Sequence, residues 1–361
     1  MCFIWKNPTH PDYEIDIPTL EKLPGGFDYI NITGGEPTLR KDLIEICRTL
    51  RPKANTLEIS TNGLHGNVLE PIVREFPDIK IRISVEGFEA TNDRIRGERD
   101  GYKRKMDTMK RLISAGGQDL GFATTFQDEN IEEVVDLYRY AQSMKLELAT
   151  SALHNAFQFH KNDNYIYDRV RVAKRVEGLI TEMLKSWKVK NMFRAYMNLG
   201  LIAKILGQDR LHPCTQGTDS VFIDPWADAW ACNVRNDLRM GNLREQTWEE
   251  IYHGEVAEGI RKQVGACPQN CWMVSSAKTA IRSKRSARLP KLAVMQWVLW
   301  NKLKVTLGRP IDFDRYIDYG DVKQDTPLVK RPSNLGKVEK KVLQPETSRR
   351  YAQVEGGFFN R

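Results

Sequence analysis

Short apolar, β-branched runs recur through the first half of the chain, each followed by turn residues and then by apolar positions at helical spacing. The runs are Tyr29 to Ile32, Leu57 to Ser60, Ile79 to Ser84, Leu120 to Thr124 and Leu146 to Ala149. Between the first two, Leu39, Leu43, Cys47 and Leu50 fall on one helical face. Between the last two, Asn130 followed three residues later by Glu133 forms a capping-box pattern ahead of Ile131, Val134, Val135, Tyr138 and Ala141. Strands separated by helices require crossover connections, and so predict a parallel sheet covered by helices. Ligands of such sheets sit at the carboxyl ends of the strands.

From Tyr165 to Leu206 the pattern is helical throughout, with Val172, Val176, Leu179 and Met183 on one side. A region rich in Cys, Trp, Gly and Asp starts at Leu211 and contains a hairpin-like segment, Val221 to Trp230. A basic stretch follows, predicted helical on either side of Pro290, and beyond Gly320 the sequence is polar and poor in apolar residues. The expected organisation is a parallel-sheet α/β domain over 1–207, a cysteine-bearing domain over 208–275, a basic helical extension over 276–319 and a disordered tail over 320–361.

Composition narrows the class. The 361 residues are 41% hydrophobic and 28% charged, enough for a large core in about two domains. The longest uncharged apolar run, Leu292 to Trp300, is far shorter than the roughly 20 residues of a membrane helix. Met1 leads into Cys2, Phe3, Ile4 and Trp5 without a signal-peptide pattern. A cytoplasmic setting is the resulting expectation. Six cysteines are too few for a disulfide scaffold in a chain this long and read as ligands. The net charge of +8 is local: nine Lys and Arg and no acidic residue lie between Val274 and Pro310, and the remainder is close to neutral.

The chemistry gathers at the strand ends. The first run ends in Thr33-Gly34-Gly35-Glu36-Pro37, the second in Ser60-Thr61-Asn62-Gly63, the third in Ser84-Val85-Glu86-Gly87. Any one of these reads as an ordinary βα turn. Three polar ends due to meet on one rim argue for a site, and paired glycines expose backbone to a close ligand. These segments, with Asn92-Asp93-Arg94-Ile95-Arg96-Gly97 downstream, resemble in order and spacing the radical S-adenosylmethionine (SAM) superfamily over roughly residues 1 to 150.

The resemblance implies a partial TIM-like (βα) barrel, an α/β fold, whose first loop carries Cys-x-x-x-Cys-x-x-Cys and a 4Fe-4S cluster. Three thiolates leave one iron open for the amino and carboxylate groups of SAM. By position, Gly34, Gly35 and Glu36 would hold the methionyl amino group, Arg96 the carboxylate, and Ser84 and Glu86 the ribose, with Asn62 on the same rim. Cys2 stands at the third cysteine position, and the other two would lie upstream of Met1 together with the first strand. The expectation is therefore a chain truncated within the motif and unable, as it stands, to cleave SAM.

Cys214, Cys232, Cys267 and Cys271, with the hairpin, Gly241-Asn242-Leu243 and Trp248-Glu249-Glu250-Ile251 between them, resemble the SPASM/twitch extension of radical SAM enzymes. Four thiolates imply one auxiliary 4Fe-4S cluster, the twitch-like version. Ala227 replaces the usual turn glycine, which puts a left-handed turn there in question. Zinc is the rival ligand of four cysteines, but the paired knuckles of zinc ribbons are missing. Cys47 reads as core. None of the six histidines carries a specific signal, although His154 follows the fifth run and His212 precedes Cys214 by two residues.

The functional expectation is an oxidoreductase-type radical enzyme. It would use a 5′-deoxyadenosyl radical to abstract hydrogen from a small-molecule or lipid-linked substrate, such as a sugar or cell-envelope precursor that is oxidised or rearranged. Its electrons would come from a flavodoxin- or ferredoxin-type donor. The alternative is a non-catalytic protein with a decayed barrel that binds a metal through four cysteines. The basic stretch reads either as a solvated helix on the barrel or as a peripheral contact to an anionic membrane surface. Nucleic acid is disfavoured, for lack of a stacking or groove-reading element.

Overall fold

The computed structural model describes residues 2–282 and 289–323. In the first half the β-branched runs form strands β1 (Ile30–Ile32), β2 (Leu57–Thr61), β3 (Lys80–Ser84), β4 (Asp119–Phe126) and β5 (Glu147–Ala152). They make one sheet in the order β1-β2-β3-β4-β5, with every neighbouring pair parallel. After α1 (Ile17–Glu21), the crossovers carry α2 (Leu43–Leu50), α3 (Gly66–Glu75), α4 (Glu89–Arg96), α5 (Gly101–Ser114) and α6 (Val134–Ser143). Sequential strand order with helical returns makes this the partial-barrel α/β arrangement expected from the sequence.

The register separates two faces. Ile59 lies opposite Ile81, Ile81 opposite Leu120, Ile83 opposite Phe122, and Phe122 opposite Leu148. This row is buried with Leu69, Ile72, Val73, Met109 and Leu112 of the crossover helices in one core. Because side chains alternate along a strand, the other face carries Ser60, Arg82, Ser84, Ala123, Thr125, Ala149 and Ser151. The apolar face is therefore used up by helices, and the polar face is left to line the interior. At the amino ends of the strands this inner face is closed by ion pairs, with buried Arg82 on Asp119 at 2.5 Å and Lys190 on the same carboxylate at 3.3 Å.

Three local expectations are corrected. Leu39 lies in a short 3₁₀ turn before α2 and is exposed, so the buried stripe begins at Leu43. The Asn130–Glu133 capping box does not form. The Asn130 side chain instead holds Gln127 N at 3.0 Å and Thr125 O at 2.9 Å, and the Glu133 carboxylate reaches across to Phe88 N at 2.7 Å. The long helical stretch is two helices, α7 (Arg169–Lys185) and α8 (Val189–Ile205), broken where Ser186 turns extended (ψ 145°). They pack on each other, and Val172, Val176, Leu179 and Met183 are all fully buried as expected.

The second half opens with an antiparallel three-stranded sheet, β6 (Phe222–Ile223), β7 (Asp228–Trp230) and β8 (Arg239–Asn242), which includes the anticipated hairpin. Then come α9 (Trp248–His253), α10 (Glu255–Gly265), α11 (Val274–Arg282) and α12 (Leu289–Thr306), with Pro290 in the first turn of α12, where its missing N–H costs no helical bond. The Thr247–Glu250 capping box closes the start of α9. This half is tied to the amino-terminal segment by Ile15 N on Pro225 O at 2.6 Å and Lys22 Nζ on Leu243 O at 2.9 Å. Phe27 meets Trp248 edge-to-face at 5.7 Å. Of the expected tail, 320–361, the first four residues are described, with Lys323 N on Leu206 O at 2.8 Å, and 324–361 lie outside the described residues. Among the described residues no helix is long and apolar enough to cross a membrane.

Candidate functional site

At the end of β1, Thr33, Gly34 and Gly35 are exposed, so their backbone groups face open space. Gly34 has φ +138°, a conformation that L side chains rarely adopt. A Cβ on Gly35 would lie 2.9 Å from Ile4 Cγ2, which places Ile4 directly against Gly35.

Glu36 bridges the ends of two strands. Its carboxylate is filled by the protein. Oε1 accepts from Thr38 N at 3.1 Å, Thr38 Oγ1 at 2.6 Å and Thr61 Oγ1 at 2.7 Å, and Oε2 accepts from Asn62 N at 2.6 Å. His65 Nδ1 lies 3.0 Å from the same Thr38 hydroxyl. The side chain of Glu36 thus clamps the end of β1 to the end of β2, and Asn62 turns its Oδ1 onto Leu64 N at 2.8 Å. Ser84 stays half-buried on the inner face.

Glu86 is also committed internally. It is 1% exposed, pairs through Oε1 with Arg96 Nη2 and accepts Thr125 N at 2.8 Å through Oε2. In this arrangement Glu86 positions Arg96. The backbone N–H of Glu86 is held by Asn92 Oδ1 at 3.2 Å, and that oxygen also receives the fully buried Lys105 Nζ at 3.4 Å. Burial, helped by the neighbouring Arg96 charge, lowers the Lys105 ammonium to about 8. Arg96 Nε is buried and has no hydrogen-bond partner. A buried, unpaired guanidinium donor after β3 and open glycine backbone after β1, on the same end of a parallel sheet, suit a ligand with a carboxylate and an amine, the two groups the methionyl end of SAM presents.

The second constellation is built from thiols. Cys214, Cys232, Cys267 and Cys271 are all free and half-buried. Burial raises the Cys232 thiol, while the backbone amides of Arg235 and Val234 favour its thiolate, and Cys214 and Cys267 are close enough to act on it electrostatically. Burial pushes Cys271 up to about 12, opposed by the charges of Lys204 and Arg210. Arg235, held by Asp237 at 2.9 Å, also hydrogen-bonds Cys267. Among the described residues no three Cys, His, Asp or Glu side chains stand at single-ion spacing. A zinc ion with Zn–S bonds of about 2.3 Å would draw its sulfurs together more tightly than a cluster that binds each thiolate to a separate iron. Four thiols with amide donors and cationic neighbours fit an anionic iron-sulfur cluster.

The left-handed turn survives without glycine. Ala227 has φ +68° and is fully buried. Asp224 accepts from Trp226 N at 2.9 Å, Asp228 N at 3.0 Å and Trp230 Nε1 at 2.9 Å, and so holds the turn in place. Elsewhere, Cys47 is fully buried and its thiol raised to about 12 by burial, as core. His212 bonds Tyr196 Oη at 2.9 Å and stacks on Trp272, a structural role. Thr38, Thr61, His65, Asn92 and Lys105 were not anticipated. Thr61 sits inside a motif that was read, but only the approach of β1 to β2 reveals its partner.

The comparisons agree with this geometry. Residues 14–141 match the radical SAM superfamily model, and residues 214–273 match the model of an iron-sulfur cluster-binding domain, SPASM. The chain is 29% identical over 141 residues to the sporulation killing factor maturation protein SkfB of Bacillus subtilis, covering 38% of this chain but only 34% of that protein. It is 27% identical over 258 residues to the AdoMet-dependent heme synthase of Methanosarcina barkeri, covering 66% of this chain and 71% of the synthase. Among solved structures, anSMEcpe with bound AdoMet superposes with a TM-score of 0.53 at 13% identity, covering 86% of this chain and 91% of that one, a likeness of fold. The two matched domains bring SAM, its 4Fe-4S cluster and an auxiliary cluster as cofactors. The chain belongs to the radical SAM superfamily and carries a SPASM iron-sulfur domain beyond its parallel sheet.

Proposed function

We propose that the protein is an enzyme that binds SAM across the ends of β1 to β3 and abstracts a hydrogen atom from a substrate held against the polar inner face of the sheet. The observation that carries this reading is the buried, unpartnered Arg96 Nε, which follows β3 in a parallel sheet whose first strand ends in the exposed Gly34–Gly35 backbone. When bound, the SAM and iron-sulfur pair supplies the 5′-deoxyadenosyl radical. The chain's own part is positioning. Gly34 and Gly35 offer backbone to the amino group, Arg96 offers its free donor to the carboxylate, and Glu36 and Glu86 hold those groups rigid. Cys2, two residues before the Ile4 that meets Gly35, is assigned to the SAM-binding cluster. Cys214, Cys232, Cys267 and Cys271 hold the auxiliary cluster, and four protein ligands leave it no open iron, so it relays an electron without binding substrate.

Half-buried hydroxyls of Ser60, Ser84, Thr125 and Ser151 share the inner face, with Thr125 and Ser151 hydrogen-bonded at 3.0 Å. They suit a hydroxyl-rich substrate, a sugar or an envelope precursor, and electron relay suits its oxidation. Relatives named as maturases, such as the mycofactocin maturase MftC of Mycolicibacterium smegmatis, 22% identical over 66% of this chain, make a peptide the competing class. A flavodoxin- or ferredoxin-type donor completes the reading. The test is to prepare the protein from its native gene without oxygen, reconstitute it with iron and sulfide, reduce it in the presence of SAM, and measure 5′-deoxyadenosine. Formation that rises with sugar-containing precursors supports the proposal, stimulation by peptides alone would move the substrate to that class, and no cleavage under any condition would refute it.

A further inference from the structure

The helix α12 is apolar on two sides. Its inner side, Val294, Trp297 and Val298, is buried, with Trp297 against Tyr196 at 5.4 Å and Tyr316 at 6.2 Å. Lys302 fixes the helix in rotation: its buried Nζ donates to the carbonyls of Leu184, Lys185 and Ser186 at 2.7, 3.0 and 3.1 Å, at the end of α7. With that side pinned inward, Leu292, Met295, Leu299, Trp300, Leu303 and Leu307 form a continuous outer stripe. Each is about half exposed or more, with Leu299 at 62%. A helix apolar all round normally has both sides covered. Six large apolar side chains in one row are far beyond the scattered exposed leucines of an ordinary surface.

The charges around the stripe say what covers it. Lys291 and Lys304 flank it, Lys304 Nζ lies 5.8 Å from the Trp300 ring, and Arg309 follows. No acidic residue occurs anywhere from Val274 to Pro310, and in sequence Arg282, Lys284, Arg285 and Arg288 lead into the helix. At the Lys302 end the exposed Trp187 ring stands 4.0 Å from Lys302 Nζ and adds a second surface tryptophan. A second copy of the chain, meeting this face about a two-fold axis, would set these cations against themselves. An anionic bilayer satisfies both features, taking the leucines and tryptophan below its headgroups and the lysines among its phosphates. With eighteen residues, Lys291, Lys302 and Lys304 among them, the helix lies on the surface and does not span it. We propose that the outer face of α12 docks the protein on an anionic membrane surface, which would bring the rim to lipid-linked substrates.

The test is flotation of the full-length protein with vesicles of phosphatidylglycerol and phosphatidylcholine, and with phosphatidylcholine alone. Binding to the anionic vesicles at low salt, lost at high salt and weak on phosphatidylcholine, is expected. Lys291→Gln and Lys304→Gln should each weaken it about fivefold, the factor that roughly 1 kcal/mol per cation corresponds to. Leu299→Glu with Trp300→Glu should abolish it while leaving the thermal unfolding of the protein unchanged, since both side chains are exposed. The readout needs neither cluster nor SAM, so it stands or falls apart from the catalytic reading. Absence of binding at low salt, or full binding by the Leu299/Trp300 variant, would overturn the proposal. So would a stable dimer in sedimentation that the same variant dissociates.

Discussion

At the carboxyl ends of β1 to β3 the carboxylates are already paired: Glu36 is filled by Thr38, Thr61 and Asn62, and Glu86 by Arg96 and Thr125. Around Cys214, Cys232, Cys267 and Cys271 the balance is reversed. Burial opposes the thiolates of Cys232 and Cys271 more than the neighbouring amides, Lys204 and Arg210 favour them, and a bound metal group would tip that balance. One region is held by its own hydrogen bonds and keeps a buried, unpaired donor, Arg96 Nε, together with exposed glycine backbone for a ligand. The other is completed by what it binds. A SAM site of this kind can exchange its ligand at every turnover, whereas a cysteine pocket of this kind keeps its cluster as part of the fold.

The largest effect should come from the cysteine pocket. Cys271→Ala is expected to remove the iron of one cluster and to abolish substrate turnover, read by iron analysis and product formation. Unchanged iron content would contradict the assignment. Next comes the rim donor. Arg96→Lys keeps a cation opposite Glu86 but gives up the Nε donor, and SAM binding measured by calorimetry should weaken about tenfold or more. A Kd equal to that of the parent would show that the unpaired nitrogen is not a ligand position.

Glu36→Gln tests whether the clamp is structural. The amide puts an NH2 group where donors converge, so about 1–2 kcal/mol of stability should be lost. That is a few degrees in the thermal midpoint for a chain of this size. SAM affinity should fall only severalfold, because the exposed backbone of Gly34 and Gly35 remains. Ala227→Gly, in the cysteine-bearing half, should do the opposite by a smaller amount. Relief of the left-handed strain is worth about 1 kcal/mol, and part of that is cancelled by the freer unfolded chain. A lowered midpoint would mean that the methyl packing at this buried position outweighs the strain.

The strands and their polar ends were legible because β-branched runs and the Gly34-Gly35-Glu36 and Ser60-Thr61-Asn62 segments are local signals. The cysteine pocket was legible as a list of ligands, since thiols in that order have few other uses. What the sequence could not carry was the allocation of side chains between neighbours. Asn130 and Glu133 have the spacing of a cap, but Gln127 N and Phe88 N take them first. Glu36 and Glu86 look like ligands at a rim, and their internal partners, which arrive from the next strand or from a helix ten residues on, leave no local signal. Ala227 lacks the flexibility of glycine and still takes the turn, since three hydrogen bonds to Asp224 over-determine it.

The division of labour between the two regions is tested most directly by measuring 5′-deoxyadenosine from SAM side by side in the Arg96→Lys and Cys271→Ala proteins, each expressed from the native gene, prepared without oxygen and reduced. The account predicts that Arg96→Lys, at limiting SAM, forms it at least about tenfold more slowly, while Cys271→Ala still forms it although no substrate product appears. Equal formation by Arg96→Lys and the parent, or loss of SAM cleavage in Cys271→Ala with the first cluster intact, would contradict it.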